Sequence, residues 1–238
     1  MKIALVGYGK MGKAIEEIAV SRGHEVVLKI SSSNKTDFTK ENLAKADVAI
    51  EFTNPESAFE NLQTCIGADV PTVCGSTGWL DSKTTVEQLV QARNGSFLYA
   101  SNFSIGVNLF FELNTYLAKL MEPHGEYDVV MEEIHHTAKK DAPSGTAITL
   151  AEQILAQLSR KKDWVKETEE KTTDLAIKSV RVDPAPGTHV ITYYSDIDDI
   201  EIRHTAHNRK GFAFGVVLAA EYIASKKGIF NMKDVLGL

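Results

Sequence analysis

Cysteine is scarce in this sequence, with Cys65 and Cys74 as the only two among 238 residues. Neither is accompanied by histidines at metal-ligand spacing, so we expect no zinc site and no other bound metal. Both lie within apolar segments, which is typical of a protein from a reducing compartment. The sequence therefore predicts a cytoplasmic protein.

Long apolar runs and long basic runs are missing as well. No stretch of about 18 consecutive apolar residues occurs, so we expect no membrane span. The formal net charge is −6 and no basic cluster stands out, which argues against nucleic acid or an anionic membrane as the main partner. The opening MKIALVGYGKMG holds an apolar run too short and too glycine-rich for a signal peptide.

The first part of the chain alternates between short apolar runs and amphipathic helical patterns. Candidate strands lie at 2–7, 24–30, 46–53, 69–79 and 96–103, and candidate helices between them at 10–23, 55–68 and 82–95. This rhythm predicts an α/β fold that begins with a Rossmann-type, doubly wound parallel sheet. Ligands of such sheets bind at the carboxyl ends of the strands, where small and polar residues follow here.

A glycine loop follows the first candidate strand, as Gly7-x-Gly9-x-x-Gly12. Glycines let the backbone turn tightly and approach a pyrophosphate, and the helix start that follows offers free N–H groups. We therefore predict a nicotinamide dinucleotide site over Gly7 to Gly12, which includes Tyr8, Lys10 and Met11. The alternative is a purely structural turn.

An acid after the second strand is missing. NAD sites usually hold the ribose 2′-OH with Asp or Glu there, but no acid lies between Glu25 and Asp37. Ser31 and Ser32 occupy this place, with Ser33 and the nearby Lys29 and Lys35. These residues favour a 2′-phosphate, so we predict NADPH, with NADH also open; a flexible serine linker is the alternative.

The pattern changes after Asn102. Helices are indicated at 105–121, 145–159 and 211–228, and strands at 126–136, 175–182, 188–195 and 199–206. Pro184, Pro186 and Gly187 suggest a hairpin-like turn between two of these strands, and the charged stretch 161–174 suggests a solvated connection. We predict a dinucleotide domain at 1–104, completed by 212–238, and a smaller α+β domain at 105–211 with a mixed sheet.

The stretch EEIHHTAKKDAPSGTA, residues 132–147, gathers the chemistry of the second domain. His135 or His136 can donate a proton near neutral pH, and Lys139 and Lys140 can hold a carboxylate. If the two histidines act together, the strand has to end at or before them, because neighbours in a strand point to opposite faces. The alternatives are a structural histidine pair and a solvated lysine face.

A helix start completes this stretch. Asp141 or Ser144 can cap it, and the backbone N–H groups of Ser144, Gly145 and Thr146 then remain available for a carboxylate. Gly145 lets a ligand approach closely. The residues thus predict an anion-binding helix start with a proton donor beside it.

Several segments together resemble the 4-hydroxy-tetrahydrodipicolinate reductases, formerly called dihydrodipicolinate reductases, of lysine and diaminopimelate synthesis. The stretch 132–147 is the most specific, and VGYGKMGKAI, EFTNPES, CGSTGW, SNFSIGVN and GIFNMKDVLGL support it in the family's order. The resemblance implies reduction of the cyclic dicarboxylate 4-hydroxy-tetrahydrodipicolinate by NADPH or NADH, with loss of water. It also implies a homotetramer joined through the sheet of the second domain.

The resemblance also implies residue roles. His135 resembles the family's proton donor, His136 a substrate contact, and Lys139 a second catalytic residue that donates a proton or holds a carboxylate. Gly145 and Thr146, next to Ser144, resemble the carboxylate-binding helix start. The loops around the nicotinamide match Gly75, Ser76, Thr77, Ala100, Ser101, Asn102 and Phe103.

Two departures from the family pattern bear on the cofactor. The glycine loop is one residue shorter than the common form, and the acid after the second strand is absent. Two other functions stay open from the residues alone. One is an amino-acid dehydrogenase on the same scaffold, and the other is a dinucleotide sensor, which would not need the His-His-Lys cluster.

Overall fold

A computed structural model describes residues 1–167, 173–208 and 210–238. The chain divides into two compact units, one formed by residues 1–105 with 210–238 and the other by residues 106–209. Part of the predicted charged connection, residues 168–172, lies outside the described residues. In the described ranges, no helix is both long and apolar enough to cross a membrane.

The first unit holds a six-stranded sheet in which every pairing is parallel. The predicted Rossmann-type sheet is thereby confirmed. Its strands are β1 (Lys2–Val6), β2 (Glu25–Ile30), β3 (Val48–Glu51), β4 (Thr72–Cys74), β5 (Ser96–Tyr99) and β11 (Gly228–Phe230). Their spatial order is β11-β5-β4-β3-β1-β2.

Helices of the first unit alternate with its strands. Asn54 caps one of them by accepting the N–H of Ser57 at 3.0 Å, and Pro55 suits the first turn, where a free N–H is not needed. The helices are α1 (Lys10–Ser21), α2 (Lys40–Leu43), α3 (Pro55–Gly67), α4 (Lys83–Ala92), α7 (Lys210–Ile223) and α8 (Met232–Leu236), with 3₁₀ turns at Lys35–Asp37 and Leu80–Ser82.

The apolar face of α7 shares the core of this sheet. Val216 and Ala219 are fully buried in the same cluster as Leu5 and Ile50 from β1 and β3. Burying a side chain of the size of Val216 or Leu5 contributes roughly 2 kcal/mol, so α7 stabilises the sheet that begins the chain.

The second unit holds a mixed sheet, as predicted, and this sheet has five strands, one more than predicted. Its central strand β6 (Asp128–His135) pairs in parallel with β8 (Asp174–Arg181) on one side and antiparallel with β9 (Gly187–Tyr194) on the other. The outer strands are β7 (Asp163–Lys166) beside β8 and β10 (Asp199–Ala206) beside β9. Helices α5 (Ile105–Met121) and α6 (Gly145–Gln157) share its apolar core.

The predicted hairpin-like turn after β8 is wrong. The chain does bend at Pro184, Pro186 and Gly187, but β8 and β9 do not pair with each other, because β6 lies between them. The turn residues mark where a strand ends and carry no information on which strand the next one joins. Because β6 lies between β8 and β9, it has hydrogen-bonded neighbours on both edges.

The charged stretch 161–174 is not only a solvated connection, because it contains β7. The strand pairs in parallel with β8, and Trp164 packs on the core of the second unit. Its end residues Asp163 and Lys166 are exposed, which an edge strand tolerates, and this charge masked its apolar centre in the sequence.

Candidate active site

The glycine loop between β1 and α1 is packed at two glycines and open at the third. A Cβ on Gly7, where φ is +102°, would lie 2.0 Å from the carbonyl oxygen of Phe52, and one on Gly12 would lie 2.3 Å from that of Gly7. A Cβ on Gly9 would meet nothing within 4 Å. Gly9 also precedes α1 without a capping side chain, so the N–H groups at the helix start stay available. This backbone fits a diphosphate.

A cleft of about 580 Å³ adjoins this loop. Gly7, Tyr8 and Gly9 line it together with Ser31 and Ser32, so the structure unites these predicted residues. Lys10 is exposed and begins α1, while Met11 packs partly against the core.

The two lysines near the serines differ. Lys35 lines the same cleft and is exposed. Lys29 instead forms an ion pair with Glu16 at 2.5 Å, and its amine lies 5.1 Å from the centre of the Tyr8 ring. Lys35 is therefore the better candidate for a 2′-phosphate.

The predicted residues after β4 serve partly in packing. A Cβ on Gly75 would lie 1.9 Å from the Phe52 ring, so this glycine is required by close packing. The buried Ser76 accepts the backbone N–H of Thr53 at 2.8 Å and thereby ties two loops at the strand ends. Thr77 is exposed.

The predicted residues after β5 divide in the same way. Phe103 is 2% exposed and its ring lies 5.8 Å from that of Phe52, so its side chain belongs to the core. Ala100 is half-buried and Ser101 is exposed at the strand end, and Asn102 accepts the N–H of Ser104 at 2.9 Å. Neither this loop nor the one after β4 lines the cleft beside Ser31, although both follow carboxyl ends of the same parallel sheet.

In the second unit, β6 ends at His135. This meets the condition under which His135 and His136 can act together. The strand alternates, so Glu133 and His135 lie on its buried face at 0% and 8% exposure. His136 follows the strand and is half-buried. The two histidines are therefore in different environments.

The buried face of β6 carries a charged network. His135 Nδ1 lies 2.6 Å from Glu133 Oε2, and Arg181 Nη2 donates to Glu133 Oε1 at 2.8 Å. The sheet register explains this meeting, because Arg181 of β8 lies beside His135 and His189 of β9 lies opposite Glu133. The rings of His135 and His189 are 5.3 Å apart.

Charge states in this network follow from burial and contacts. Burial by itself raises the pKa of Glu133, but the contacts with His135 and Arg181 outweigh burial and hold this pKa well below its usual range. Burial, followed by the charge of His135, lowers the pKa of His189 to about 4. At neutral pH Glu133 is thus a carboxylate and His189 is a neutral ring.

The geometry of this network favours an ion pair over a shared metal. Glu133, His135 and His189 do offer ligand atoms within 4.8 Å of one another. A tetrahedral Zn²⁺ with bonds of about 2.1 Å keeps its ligand atoms about 3.4 Å apart. The 2.6 Å contact between Glu133 and His135 is much shorter, and Arg181 already brings a positive charge to the carboxylate.

The residues after β6 form a turn that leads into α6. Lys139 Nζ donates to both carboxylate oxygens of Asp141 at 2.8 Å, and Arg181 Nη2 donates to the Asp141 carbonyl at 2.6 Å. Ser144 rather than Asp141 caps α6, since its Oγ accepts the N–H of Ala147 at 3.2 Å.

The start of α6 leaves room for a ligand. Ser144 Oγ also lies 3.2 Å from His189 Nε2, so its side chain is engaged within the protein. Gly145 is exposed, and a Cβ there would meet nothing within 4 Å. Thr146 is half-buried in the first turn. Together with the turn that holds Lys139, these residues can bind an anion through N–H groups and positive charge.

Sequence reasoning missed Glu133, Arg181 and His189. One signal was available for Glu133, because strand alternation places it on the same face as His135. Arg181 and His189 reach the site through the pairing of β8 and β9 with β6, which local patterns do not reveal.

Both units match known family models. Residues 1–103 match the N-terminal model of dihydrodipicolinate reductase, and residues 106–236 match the C-terminal model. The chain belongs to the dihydrodipicolinate reductase family. It is therefore an oxidoreductase of a family that depends on a pyridine nucleotide, in agreement with the resemblance noted from the sequence.

Relatives of the chain in the dihydrodipicolinate reductase family carry the name 4-hydroxy-tetrahydrodipicolinate reductase. One from Christiangramia forsetii is 50% identical, over 99% of this chain and 98% of its own length. One from Methanocaldococcus jannaschii is 34% identical, over 98% of this chain and 81% of its own length. The names place these relatives in the same reaction class.

Solved structures agree on the fold. The dipicolinate-bound dihydrodipicolinate reductase from Paenisporosarcina sp. TG-14 matches with a TM-score of 0.77 at 24% identity, over 97% of each chain. A probable dehydrogenase from Thermotoga maritima matches with a TM-score of 0.58 at 9% identity, over 99% of this chain and 92% of that one. At these identities the likeness concerns the fold.

Proposed function

We propose that this protein catalyses the reduction of 4-hydroxy-tetrahydrodipicolinate to tetrahydrodipicolinate with NADPH or NADH, in lysine and diaminopimelate synthesis. The reaction adds one hydride and one proton to the substrate and removes one water. Membership of the dihydrodipicolinate reductase family supports this reaction. At the site, the observation that supports this reaction is the position of His135. It ends β6, one of its ring nitrogens lies beside a carboxylate, and a positively charged turn follows.

The proposed proton donor is His135. A donor needs a ring that is partly exposed and can take up a proton, and the His135 side chain is 10% exposed and lies beside the Glu133 carboxylate. His189 does not meet them, because burial lowers its pKa to about 4 and keeps it neutral. We assign the neighbouring, half-buried His136 to contact with the substrate.

Two carboxylates on the substrate require two anion sites. We assign one to the amine of Lys139, which contacts the exposed carboxylate of Asp141, a partner that a substrate carboxylate can replace. We assign the other to the start of α6, at Ser144, Gly145 and Thr146, through backbone N–H groups and the positive end of the helix dipole. The kinetics of a Lys139 variant distinguish proton donation by Lys139 from carboxylate binding.

The proposed cofactor site is the glycine loop with its cleft. Gly7, Gly9 and Gly12 would hold the diphosphate, and Ser31 and Ser32 the adenosine ribose. The loops 75–77 and 100–103, at the carboxyl ends of β4 and β5, would hold the nicotinamide. When bound, the cofactor supplies the hydride. We favour NADPH because Lys35 and the two serines line the cleft where an acid would be needed for NADH.

Further proposals concern the whole protein. We propose a cytoplasmic homotetramer joined through the sheet of the second unit, as the family resemblance implies. Size-exclusion chromatography with light scattering measures the number of subunits directly, and a mass near that of one chain would contradict the tetramer.

A rate assay tests the proposed reaction. Freshly made 4-hydroxy-tetrahydrodipicolinate is mixed with the protein and either NADPH or NADH, and the nucleotide absorbance is followed. We expect oxidation well above the rate without protein, faster with NADPH. No oxidation with either nucleotide contradicts the proposal.

Variants of the charged turn separate the proposed reductase from a dinucleotide sensor. His135→Gln and Lys139→Ala should lose turnover by about a hundredfold or more while still binding NADPH. Lys140→Ala is the matched control, because it removes the same charge one residue away and should keep most of the activity. A proton-donating Lys139 lowers kcat when removed, whereas a carboxylate-binding Lys139 mainly raises KM.

A further inference from the structure

Glu133 is a fully buried carboxylate on a strand face whose preceding residues are apolar. It follows Val129 and Met131 on the inward side of β6, both of which pack in the core of the second unit. A charge in such a place is costly unless specific contacts compensate it. The apolar core beside it does not by itself account for a carboxylate here, so Glu133 calls for a functional explanation.

The carboxylate is fixed between a cation and the proposed proton donor. Arg181 Nη2 donates to Oε1 at 2.8 Å, and the same nitrogen donates to the Asp141 carbonyl at 2.6 Å. Oε2 faces His135 Nδ1 at 2.6 Å. Among the described residues neither of these two atoms makes a hydrogen bond of regular geometry, so the proposal rests on their 2.6 Å distance and on the shared buried face of β6.

We propose that Glu133, held by Arg181, is a positioning residue that keeps a proton on Nδ1 of His135 and so makes Nε2 the nitrogen that protonates the substrate. The proposal rests on the proposed function, in which His135 is the donor. In the step, the Nε2–H bond breaks, its electron pair stays on the ring, and the proton passes to the substrate. The ring is left neutral with Nδ1–H still facing Glu133, and it regains a proton from water.

The space beside Nε2 fits this assignment. A Cβ on Gly187 would lie 3.0 Å from Nε2 of His135, and glycine leaves that volume open. A carboxylate that faces Nδ1 also fixes the orientation and the tautomer of the ring. Arg181 prevents the carboxylate from rotating away and keeps it ionised.

Other charged groups around His135 set the background for a pH profile. They are Arg181 on β8, His189 on β9, and Lys139 and Asp141 in the turn after β6. His189 is neutral above about pH 4, and Asp141, whose pKa the contact with Lys139 lowers, stays charged between about pH 6 and 9. A change in the profile over that range in a Glu133 variant therefore reports on His135.

The central test is Glu133→Gln, which keeps the shape of the side chain and removes its charge. We expect kcat to fall by about 10- to 100-fold with KM changed less than about twofold, because the ring is misplaced and not the substrate. We also expect the pH profile of kcat to change, because the side chain that faces the ring no longer carries a charge. Glu133→Asp keeps the charge and should keep the wild-type midpoint.

Glu132→Gln is the matched control. Glu132 is the neighbouring residue on the opposite face of β6, and it pairs with Lys178 at 3.0 Å. The change is chemically identical, and we expect wild-type kcat and pH profile. If Glu133→Gln also keeps both, the positioning role is wrong while the proposed reaction stands. If the wild-type protein and Glu132→Gln do not oxidise NADPH with the substrate, the proposed function itself has failed.

A measurement on the wild-type protein covers the case in which Glu133→Gln does not fold. Nitrogen-15 NMR of labelled histidine rings identifies which nitrogen carries the proton, and the signal lost in His135→Gln assigns His135. We expect Nδ1 to stay protonated when the ring becomes neutral. A neutral His135 that carries its proton on Nε2 overturns the proposal without any Glu133 variant.

Discussion

The Cβ that Gly187 lacks would lie 3.0 Å from Nε2 of His135. Gly187 begins β9, and His135 ends the neighbouring β6, so the missing side chain leaves space at the proposed reacting nitrogen. The ring has little freedom to yield, because its other nitrogen contacts the buried Glu133 at 2.6 Å. Gly187 therefore shapes the proposed site through the space that it leaves beside His135.

We expect Gly187→Ala to lower kcat by about tenfold, because the added methyl displaces Nε2 by a few tenths of an ångström or blocks it. Gly125→Ala is the control, since a Cβ there meets nothing within 4 Å in the same unit. Steady-state kinetics with a thermal melt of each variant checks the prediction. Equal kcat in the two variants would show that the space beside Nε2 does not matter.

The glycine loop predicts opposite outcomes for two alanine variants. Gly7→Ala places a Cβ 2.0 Å from a backbone oxygen at a positive φ, so we expect a loss of about 3 kcal/mol or more in unfolding free energy. Gly9→Ala meets nothing within 4 Å and should keep the stability, yet bind NADPH at least tenfold more weakly. Denaturant unfolding and fluorescence titration measure the two effects. Normal NADPH affinity in Gly9→Ala would place the diphosphate elsewhere.

Lys35 should govern the choice between NADPH and NADH. Lys35→Ala removes the exposed amine that lines the cleft near Ser31 and Ser32, and we expect KM for NADPH to rise about tenfold and KM for NADH to change less than twofold. Lys45→Ala is the control, because Lys45 is exposed, donates to Asn42 and does not line the cleft. A loss shared equally by both nucleotides would argue against a 2′-phosphate contact.

The stability of the protein should depend on His189 below neutral pH. Burial lowers the pKa of His189 from an ordinary 6.5 to about 4, so the unfolded chain binds a proton that the folded chain does not. The contribution is fully present above pH 6.5 and is lost as the pH falls toward 4. Between pH 7.5 and 5 this amounts to about 2 kcal/mol of unfolding free energy.

Urea unfolding of the wild-type protein and of His189→Gln at these two pH values isolates this contribution. Burial also lowers the pKa of His204, which acts in the same direction in both proteins and cancels in the comparison. The variant should lose about 2 kcal/mol less than the wild type on acidification. An equal loss in both would mean that His189 is not the group responsible.

The sequence predicted the elements that local patterns control. The helix at 105–121 was predicted with its observed bounds, since its apolar spacing is clear. The strand pattern extended to His136, whereas β6 ends at His135, which meets the condition stated for the two histidines to act together. The pairing of β8 and β9 was wrong because it depends on β6, some forty residues earlier in the chain, which no turn signal reveals.

The same limit explains the missing site residues. Arg181 and His189 read as ordinary strand residues, because only the register with β6 brings them to Glu133 and His135. Asp141 and Ser144 were equal candidates for the helix cap, and the structure selects Ser144. Lys29 and Lys35 were also equal candidates for contact with a 2′-phosphate, and the structure favours Lys35 because Lys29 forms an ion pair with Glu16.

The central place of β6 has a consequence for protein synthesis. The strand that ends at His135 finds its two neighbours only in segments that are translated later, at Asp174–Arg181 and Gly187–Tyr194. A nascent chain that has emerged only as far as Lys166 therefore contains His135 and Glu133 but not Arg181, the cation that contacts Glu133. It also lacks both strands that pair with β6. The order of translation delays assembly of the proposed proton donor until most of the second unit has left the ribosome.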